Sequence, residues 1–382
     1  MKKIVKFLSY VLVAAAASAM TMAMSGGSRT EKLGELLDVI DRQFIGQADA
    51  TLLEDAAADA IVTALGDRWS YYIPAASYQD HVDSMNNAYV GVGITISARE
   101  DASGFDILQV EPTGPAAEAG LKAGDVIVGV NGQTAEGMSN SDLSAIVKGE
   151  EGTTVDITVL RGTEELIFTV ERRTVLVVVA EGEMLEGNVG LVTINNFDAR
   201  CADETIAVIE SLLEQGAEKL IFDVRNNPGG YKKELVKVLD YLLSKGDLFR
   251  SEYYDGTTYT DTSDAKCLEI PMAVLVNGES YSAAEFFAAA LEEYEAAITV
   301  GQQTCGKGYF QTTIELSDGS AVNLSVGKYF TPKGVCLADV GGLIPAVTVE
   351  VDEDTFNAIY AGTLEPLADP QIQAAVEALK NR

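Results

Sequence analysis

Histidine is almost missing from this sequence. His81 is the single one among 382 residues, so zinc sites of the His₂Glu or His₃ kind cannot be assembled. A catalytic base has to be sought among other residue types unless His81 itself serves. Basic residues are also scarce: 27 Lys and Arg stand against 58 Asp and Glu, a formal charge of −31. So acidic a surface repels phosphate backbones and anionic headgroups, which argues against nucleic acid as a partner. Cysteines are few and widely spread, at 201, 267, 305 and 336, with no Cys-x-x-Cys. Four thiols allow three pairings in an oxidising compartment, and four free buried thiols are an equal reading. Long apolar runs are lacking too. Residues 7–28 carry no charge, but their apolar centre, Val11 to Ala17, is shorter than the roughly 20 residues a spanning helix needs. Lys2, Lys3 and Lys6 precede it and Ala17-Ser18-Ala19 follows the small-residue cleavage rule. Residues 1–28 therefore read as a signal peptide or membrane anchor, which places the rest of the chain outside the cytoplasm.

What remains is ordinary for a folded chain, with 47% hydrophobic and 22% charged residues, and the length suits two or three domains. Residues 29–87 read as a helical region: Leu33, Leu36, Leu37, Ile40 and Phe44 form one i, i+3, i+4 stripe, and Leu52 to Leu65 another. Gly66 stands at the expected C-terminal stop. From 88 to 175 the period becomes two, with strands at Gly93–Ser97, Phe105–Val110, Val126–Val130, Val155–Leu160 and Leu166–Val170. One short helix, Asp142–Val147, interrupts them, and Asn131-Gly132 marks a tight turn. From 176 to 351 apolar strands (Val189–Ile194, Leu220–Val224, Met272–Val276, Ala297–Val300) alternate with amphipathic helices, an α/β layer pattern. Residues 352–382 form a tail with helical spacing at Asp369–Leu379. The fold class expected is α+β multidomain.

The β-rich module resembles a PDZ domain in two stretches, Tyr89-Val-Gly-Val-Gly-Ile94 and Gly114-Pro-Ala-Ala-Glu-Ala-Gly-Leu-Lys-Ala-Gly-Asp-Val-Ile-Val-Gly-Val-Asn-Gly132. Glycines around Val92 let successive backbone N–H groups converge into a nest for a carboxylate. A peptide tail would then add as a strand. Gly91, Val92, Gly93 and Ile94 are the candidate contacts, with Leu143 and Ile146 lining the slot for the last side chain or simply packing the core.

Three separated segments carry chemistry. Asp223-Val-Arg-Asn-Asn-Pro-Gly-Gly230 follows an apolar strand and by itself is a turn. Asn277-Gly-Glu-Ser-Tyr-Ser-Ala-Ala-Glu285 precedes a helix, and its Ser282-x-x-Glu285 by itself is a capping box. Gly301-Gln-Gln-Thr-Cys-Gly-Lys-Gly-Tyr-Phe-Gln311 is close to a phosphate-binding loop. Gly308, however, stands where that loop needs Ser or Thr, and the residues that follow read as a strand, not a helix.

Taken together the three segments resemble the C-terminal processing peptidases, serine proteases with a serine–lysine dyad. Leu65-Gly-Asp-Arg-Trp-Ser-Tyr-Tyr72 and Lys328-Tyr-Phe-Thr-Pro-Lys-Gly334 are also similar to family signatures, and the resemblance runs over about residues 31–350. It implies Ser282 as nucleophile, Lys307, 25 residues on, as base, and Gln311 as the lysine's support. Ala283 and a glycine of the Asn-Pro-Gly-Gly turn, Gly229 or Gly230, would supply the oxyanion donors. The resemblance also implies a ClpP/crotonase-like protease core and no metal or organic cofactor. Partners would be protein substrates with exposed C-terminal tails and a regulatory partner at the PDZ-like domain. The helical ends, 30–65 and 369–379, could support a homodimer or pack on their own chain. Tyr281, Ala284 and Ala346 depart from the family pattern without removing a catalytic group. Two rival readings are a tail-binding protein with an inert core and a nucleotide-binding protein using Gly301–Gly308.

The chemistry is coherent. A serine hydroxyl needs a base to become a nucleophile, and lysine serves only when neutral. Burial lowers its pKa from about 10.4, by up to about 3–5 units when complete. Tyr309 and Phe310 are the apolar neighbours expected to help, with Gly306 and Gly308 permitting close packing. Because four residues of flat strand cover about 13 Å, contact between Lys307 and Gln311 requires a bend near Gly308 or two long side chains.

Overall fold

The computed structural model describes residues 31–99 and 101–380; the expected signal or anchor, residues 1–28, lies outside them. Among the described residues no helix is long and apolar enough to cross a membrane. The chain divides into two compact units, with the division between Tyr72 and Ile73.

The first unit carries helices α1 (Glu31–Gln43) and α2 (Ala50–Thr63). Asp49 caps α2 by accepting from the Leu52 N–H (3.1 Å). Gly66 ends the segment at φ 70°, the left-handed turn that glycine accommodates without strain. The apolar stripes stay largely at the surface: Leu36, Phe44, Leu52 and Leu65 are all more than half exposed. A short strand β1 (Tyr71–Ile73) and helix α3 (Ala75–Met85) follow; the strand breaks a region that the periodicity reads as wholly helical.

The second unit, which takes in α3, continues with the β-rich module. Its elements are β2 (Ala88–Gly91), β3 (Ile94–Ala98), β4 (Phe105–Val110), α4 (Pro115–Ala119), β5 (Val126–Val130), β6 (Gln133–Thr134), α5 (Asn140–Val147), β7 (Thr154–Arg161), β8 (Glu164–Glu171) and β9 (Arg173–Leu176). Strands β3-β4-β5-β7-β8 form one antiparallel sheet with β3 at its edge. Asn131 (φ 52°) and Gly132 (φ 76°) make the tight turn from β5 to β6. Helix α4 escapes the periodicity because only five residues form it, opened by Pro115 and closed by left-handed Gly120. Phe105, Ile107, Ile127, Leu143, Ile157 and Val159 fill the module's own core.

The rest alternates strand and helix: β10 (Ala180–Leu185), β11 (Val189–Ile194), α6 (Cys201–Glu214), β12 (Lys219–Asp223), α7 (Lys232–Leu242), β13 (Gly246–Tyr253), β14 (Thr258–Ser263), β15 (Met272–Val276), α8 (Ala283–Glu293), β16 (Ala297–Gly301), β17 (Tyr309–Glu315), β18 (Ala321–Phe330), α9 (Leu337–Val340), β19 (Val347–Thr348), α10 (Glu353–Tyr360) and α11 (Pro370–Leu379). The main sheet runs β10-β11-β12-β15-β16-β19, parallel except at its β10 edge. Both faces are covered, which is why its strands read as unbroken apolar runs. Val192, Phe222 and Val274 pack with Leu235, Phe286 and Phe287 on one side. Leu191, Ile221 and Leu275 pack with Ile372, Ala375 and Leu379 of α11 on the other. A second sheet is built from β14, β13, β18 and β17, with a bulge between Phe310 and Gln311. All four cysteines are free.

One buried ionic cluster fastens α11 to the sheet. Arg225, whose side chain is 5% exposed, pairs with Asp223 (2.6 Å) and Asp369 (2.7 Å) and donates to Gln371 Oε1 (2.9 Å). Asp369 also caps α11 through the Gln371 N–H (2.8 Å). Removing one partner of such a pair leaves uncompensated buried charge, so Arg225→Met should lower unfolding free energy by about 3–5 kcal/mol. Denaturant titration against the wild type checks this; an unchanged midpoint would show that the cluster contributes nothing net.

Candidate active site

The three chemistry-bearing segments follow β12, β15 and β16, adjacent parallel strands of one sheet, so their loops emerge together at the carboxyl end. Side-chain and backbone hydrogen bonds then tie the loops to one another. Asn277 after β15 exchanges two bonds with Asn226 after β12: Asn277 Nδ2 donates to Asn226 Oδ1 (2.8 Å) and the Asn226 N–H donates to Asn277 Oδ1 (3.0 Å). The Ser280 hydroxyl donates to the Val224 carbonyl (2.7 Å), and the Cys305 N–H after β16 donates to the Ser280 carbonyl (3.2 Å).

Ser282 sits at the head of α8 with φ 57° and ψ −122°. That conformation is costly for a residue with a Cβ, by about 1–3 kcal/mol, and persists only where the surroundings enforce it. Glu285 enforces it here. Fully buried, its carboxylate accepts from the Ser282 N–H (3.0 Å), the Thr304 hydroxyl (2.8 Å), the Gly306 N–H (2.9 Å) and the Lys307 N–H (2.6 Å). One carboxylate thus holds the backbone of both Ser282 and Lys307. Burial pushes the Glu285 carboxyl above its ordinary value, and the four donors pull it back down without cancelling the rise.

Lys307 is half-buried, and its Nζ lies 5.9 Å from the centroid of the Tyr281 ring. The apolar wall beside the amine is therefore Tyr281. Tyr309 and Phe310, expected there from the sequence, face other partners: Phe310 packs edge-on against Tyr253 and Tyr309 lies under Lys328. Gly306 (φ 80°) and Gly308 do allow close packing. A Cβ on Gly306 would come within 2.8 Å of the Gly341 carbonyl carbon, and one on Gly308 within 2.5 Å of Cys336 Sγ. Gln311, beyond the strand bulge, donates to the Tyr309 carbonyl (3.1 Å) and Ser325 Oγ (3.0 Å). Tyr329 donates its hydroxyl to the Lys307 carbonyl.

The glycine turn presses on the serine. A Cβ on Gly229 (φ 88°) would come within 2.7 Å of Ser282 Cβ and 2.8 Å of the Ala283 nitrogen. The Gly229 N–H already donates to Asn227 Oδ1 (2.8 Å), whereas among the described residues the Gly230 N–H has no acceptor. Beside Gly230, Asp198 keeps a buried Oδ1 with no hydrogen-bond partner, and burial pushes its carboxyl up to about 7.

In the β-rich module Gly93 takes φ 78°, and the Val92 and Gly93 carbonyls accept from Ala116 N–H (2.8 Å) and Glu111 N–H (2.9 Å). Gly91 pairs with Arg173. Val92 and Leu143 are core residues, 1% and 0% exposed, while Ile94 and Ile146 pack partly exposed against that core. The phosphate-loop reading of Gly301–Gly308 fails: a strand follows it, and a Cβ on Gly301 would come within 2.0 Å of the Val276 carbonyl oxygen. His81 stacks beside Tyr78 on α3. Sequence reasoning gave Glu285 only a capping role and left Tyr329 inside a signature; a carboxylate shared between two loops has no signal in spacing alone.

Residues 188–349 match peptidase family S41 and residues 107–161 match a PDZ domain. The carboxy-terminal processing protease CtpA of Bacillus subtilis (strain 168) is 30% identical over 92% of this chain and 79% of its own length. A probable CtpA-like serine protease of Staphylococcus aureus (strain COL) is 31% identical over 85% of this chain and 65% of its own length. A solved structure from Bacteroides fragilis NCTC 9343, assigned to the S41 proteases, superposes with a TM-score of 0.54 at 17% identity, covering 85% of this chain and 90% of its own, a likeness of fold.

Glu285→Ala should destabilise the fold by about 1–3 kcal/mol for each donor it orphans, and should slow peptide hydrolysis more than Glu285→Gln, which keeps an acceptor oxygen. Denaturation and turnover of the two variants check this; equal turnover in both would contradict it. Asp198 gives a pH signature. A carboxyl that keeps its proton in the folded state to about pH 7 stabilises at low pH, and that contribution is lost as pH rises from its ordinary 3.8 towards 7. The melting temperature of Asp198→Asn should therefore gain on the wild type across that window. A constant difference would contradict the raised value.

Proposed function

The chain belongs to peptidase family S41, the carboxy-terminal processing serine proteases, and from that premise we propose that Ser282 is its nucleophile and Lys307 its general base. The observation that carries the reading is the Glu285 carboxylate, hydrogen-bonded at once to the Ser282 and Lys307 amides. In the reaction the Ser282 hydroxyl passes its proton to the neutral Lys307 amine as Oγ bonds to the scissile carbonyl carbon. The carbonyl electron pair moves onto oxygen, where the Ala283 N–H at the start of α8 and the Gly230 N–H would receive it. Losing one such donor costs about 10²–10³ in rate. The lysine ammonium then protonates the leaving amine, and water attacks the acyl-enzyme with the same lysine as base. The Gln311 amide oxygen, whose nitrogen is already spent, would steady the ammonium.

The PDZ module, proposed as residues 88–175, would take the substrate's C-terminal carboxylate at the nest of Gly91, Val92 and Gly93, with the tail added along the β3 edge. Ile94 and Ile146 are the slot-lining side chains that remain accessible. The protease core would be residues 176–351. Substrates would be proteins with exposed tails, and the site of action outside the cytoplasm.

Hydrolysis of unfolded casein tests the chemistry. The wild type should cleave it, with rate rising as alkaline pH frees the lysine amine, and Ser282→Ala and Lys307→Ala should each lose at least about 10³-fold while remaining folded. Full activity in either variant would overturn the assignment; inactivity of the wild type would favour a tail-binding protein with an inert core.

A further inference from the structure

One buried side chain outside the proposed pair holds the lysine turn. Tyr329 lies on β18, 3% exposed, its ring wedged between Phe249 (5.5 Å between centroids) and Phe286 of α8 (5.7 Å). Its backbone N–H donates to the Gly308 carbonyl (3.1 Å). Its hydroxyl donates to the Lys307 carbonyl. The two consecutive carbonyls of the lysine turn are thus held by one residue whose ring packs on the helix that Ser282 begins. We propose that Tyr329 is a positioning residue for the Ser282–Lys307 pair, its hydroxyl fixing the lysine turn against the helix that begins at Ser282; this rests on the dyad reading above.

The proton count defines what it does. A phenol carries one proton, and here that proton is on the Lys307 carbonyl. Attack on a substrate moves the serine proton to the Lys307 amine, the Oγ pair to the carbonyl carbon and the carbonyl pair to oxygen. Tyr329 neither gains nor loses a proton. Burial keeps its phenol protonated, well above the ordinary value, so it adds no limb of its own to the pH profile. The ring packs against Phe249 and Phe286, and the hydroxyl ties that packing to the lysine turn.

Tyr329→Phe retains the ring and the backbone donor and removes only the hydroxyl. It should lower kcat by about 10–100-fold, the cost of misplaced reacting groups, with KM within about twofold. Replacing Tyr329 with 4-aminophenylalanine, which keeps a donor at the same place, should hold kcat near the wild-type value, because the Lys307 carbonyl keeps a hydrogen bond. Wild-type kcat in Tyr329→Phe would overturn the inference, and so would a loss in the 4-aminophenylalanine protein as large as that expected of Tyr329→Phe, which decides the matter if Tyr329→Phe does not fold. Ser282→Ala and Lys307→Ala are measured alongside. If both are inactive while Tyr329→Phe behaves as wild type, only this inference falls; if either is active, the dyad reading falls and takes this one with it.

Discussion

One buried carboxylate organises the loops at the carboxyl end of the main sheet. Glu285 receives hydrogen bonds from the residue that begins α8 and from three groups of the loop after β16. Without it, Ser282 would have little reason to stay at φ 57°, and the lysine turn would lose the anchor that sets its distance from the serine. Burying the carboxylate is unfavourable on its own, as its raised pKa records. Charge-assisted bonds to backbone amides are among the stronger hydrogen bonds a fold makes, and here they are made to the two segments whose relative placement the proposed reaction needs.

The sheet makes this convergence possible. Parallel strands β12, β15 and β16 lie side by side, so three segments distant in sequence leave the sheet at one end. The Asn226–Asn277 exchange and the Gly229 contact on Ser282 then fix the loops at atomic distances. On the far face, α11 is held to the same sheet through Arg225, two residues before Asn227, so the C-terminal helix and the glycine turn share one foundation.

Much of this was legible in the residues. Val189–Ile194 and Met272–Val276 are strands with the bounds the apolar runs suggest, because burial on both faces leaves no ambiguity of period. The glycines at 306 and 308 were readable as close-packing positions, and the structure supplies the atoms they would strike. Helix α4 was not legible, being too short for periodicity to register, and neither was the strand at Tyr71–Ile73. The ring partners around the lysine turn were not readable from adjacency: Phe310 packs on Tyr253, Tyr309 lies under Lys328, and Tyr281 reaches the Lys307 amine from another loop. Leu143 reads equally as pocket or core from sequence, and its complete burial among Phe105, Ile127 and Ile157 places it in the core.

The central claim is that Ser282 is activated by Lys307. Mapping the adduct of a fluorophosphonate by mass spectrometry addresses it without assuming any substrate. The account predicts a single modified peptide carrying the label on Ser282, and loss of that label when Lys307 is replaced by Ala in folded protein. Labelling at another serine, or undiminished labelling of Ser282 without the lysine, would contradict it.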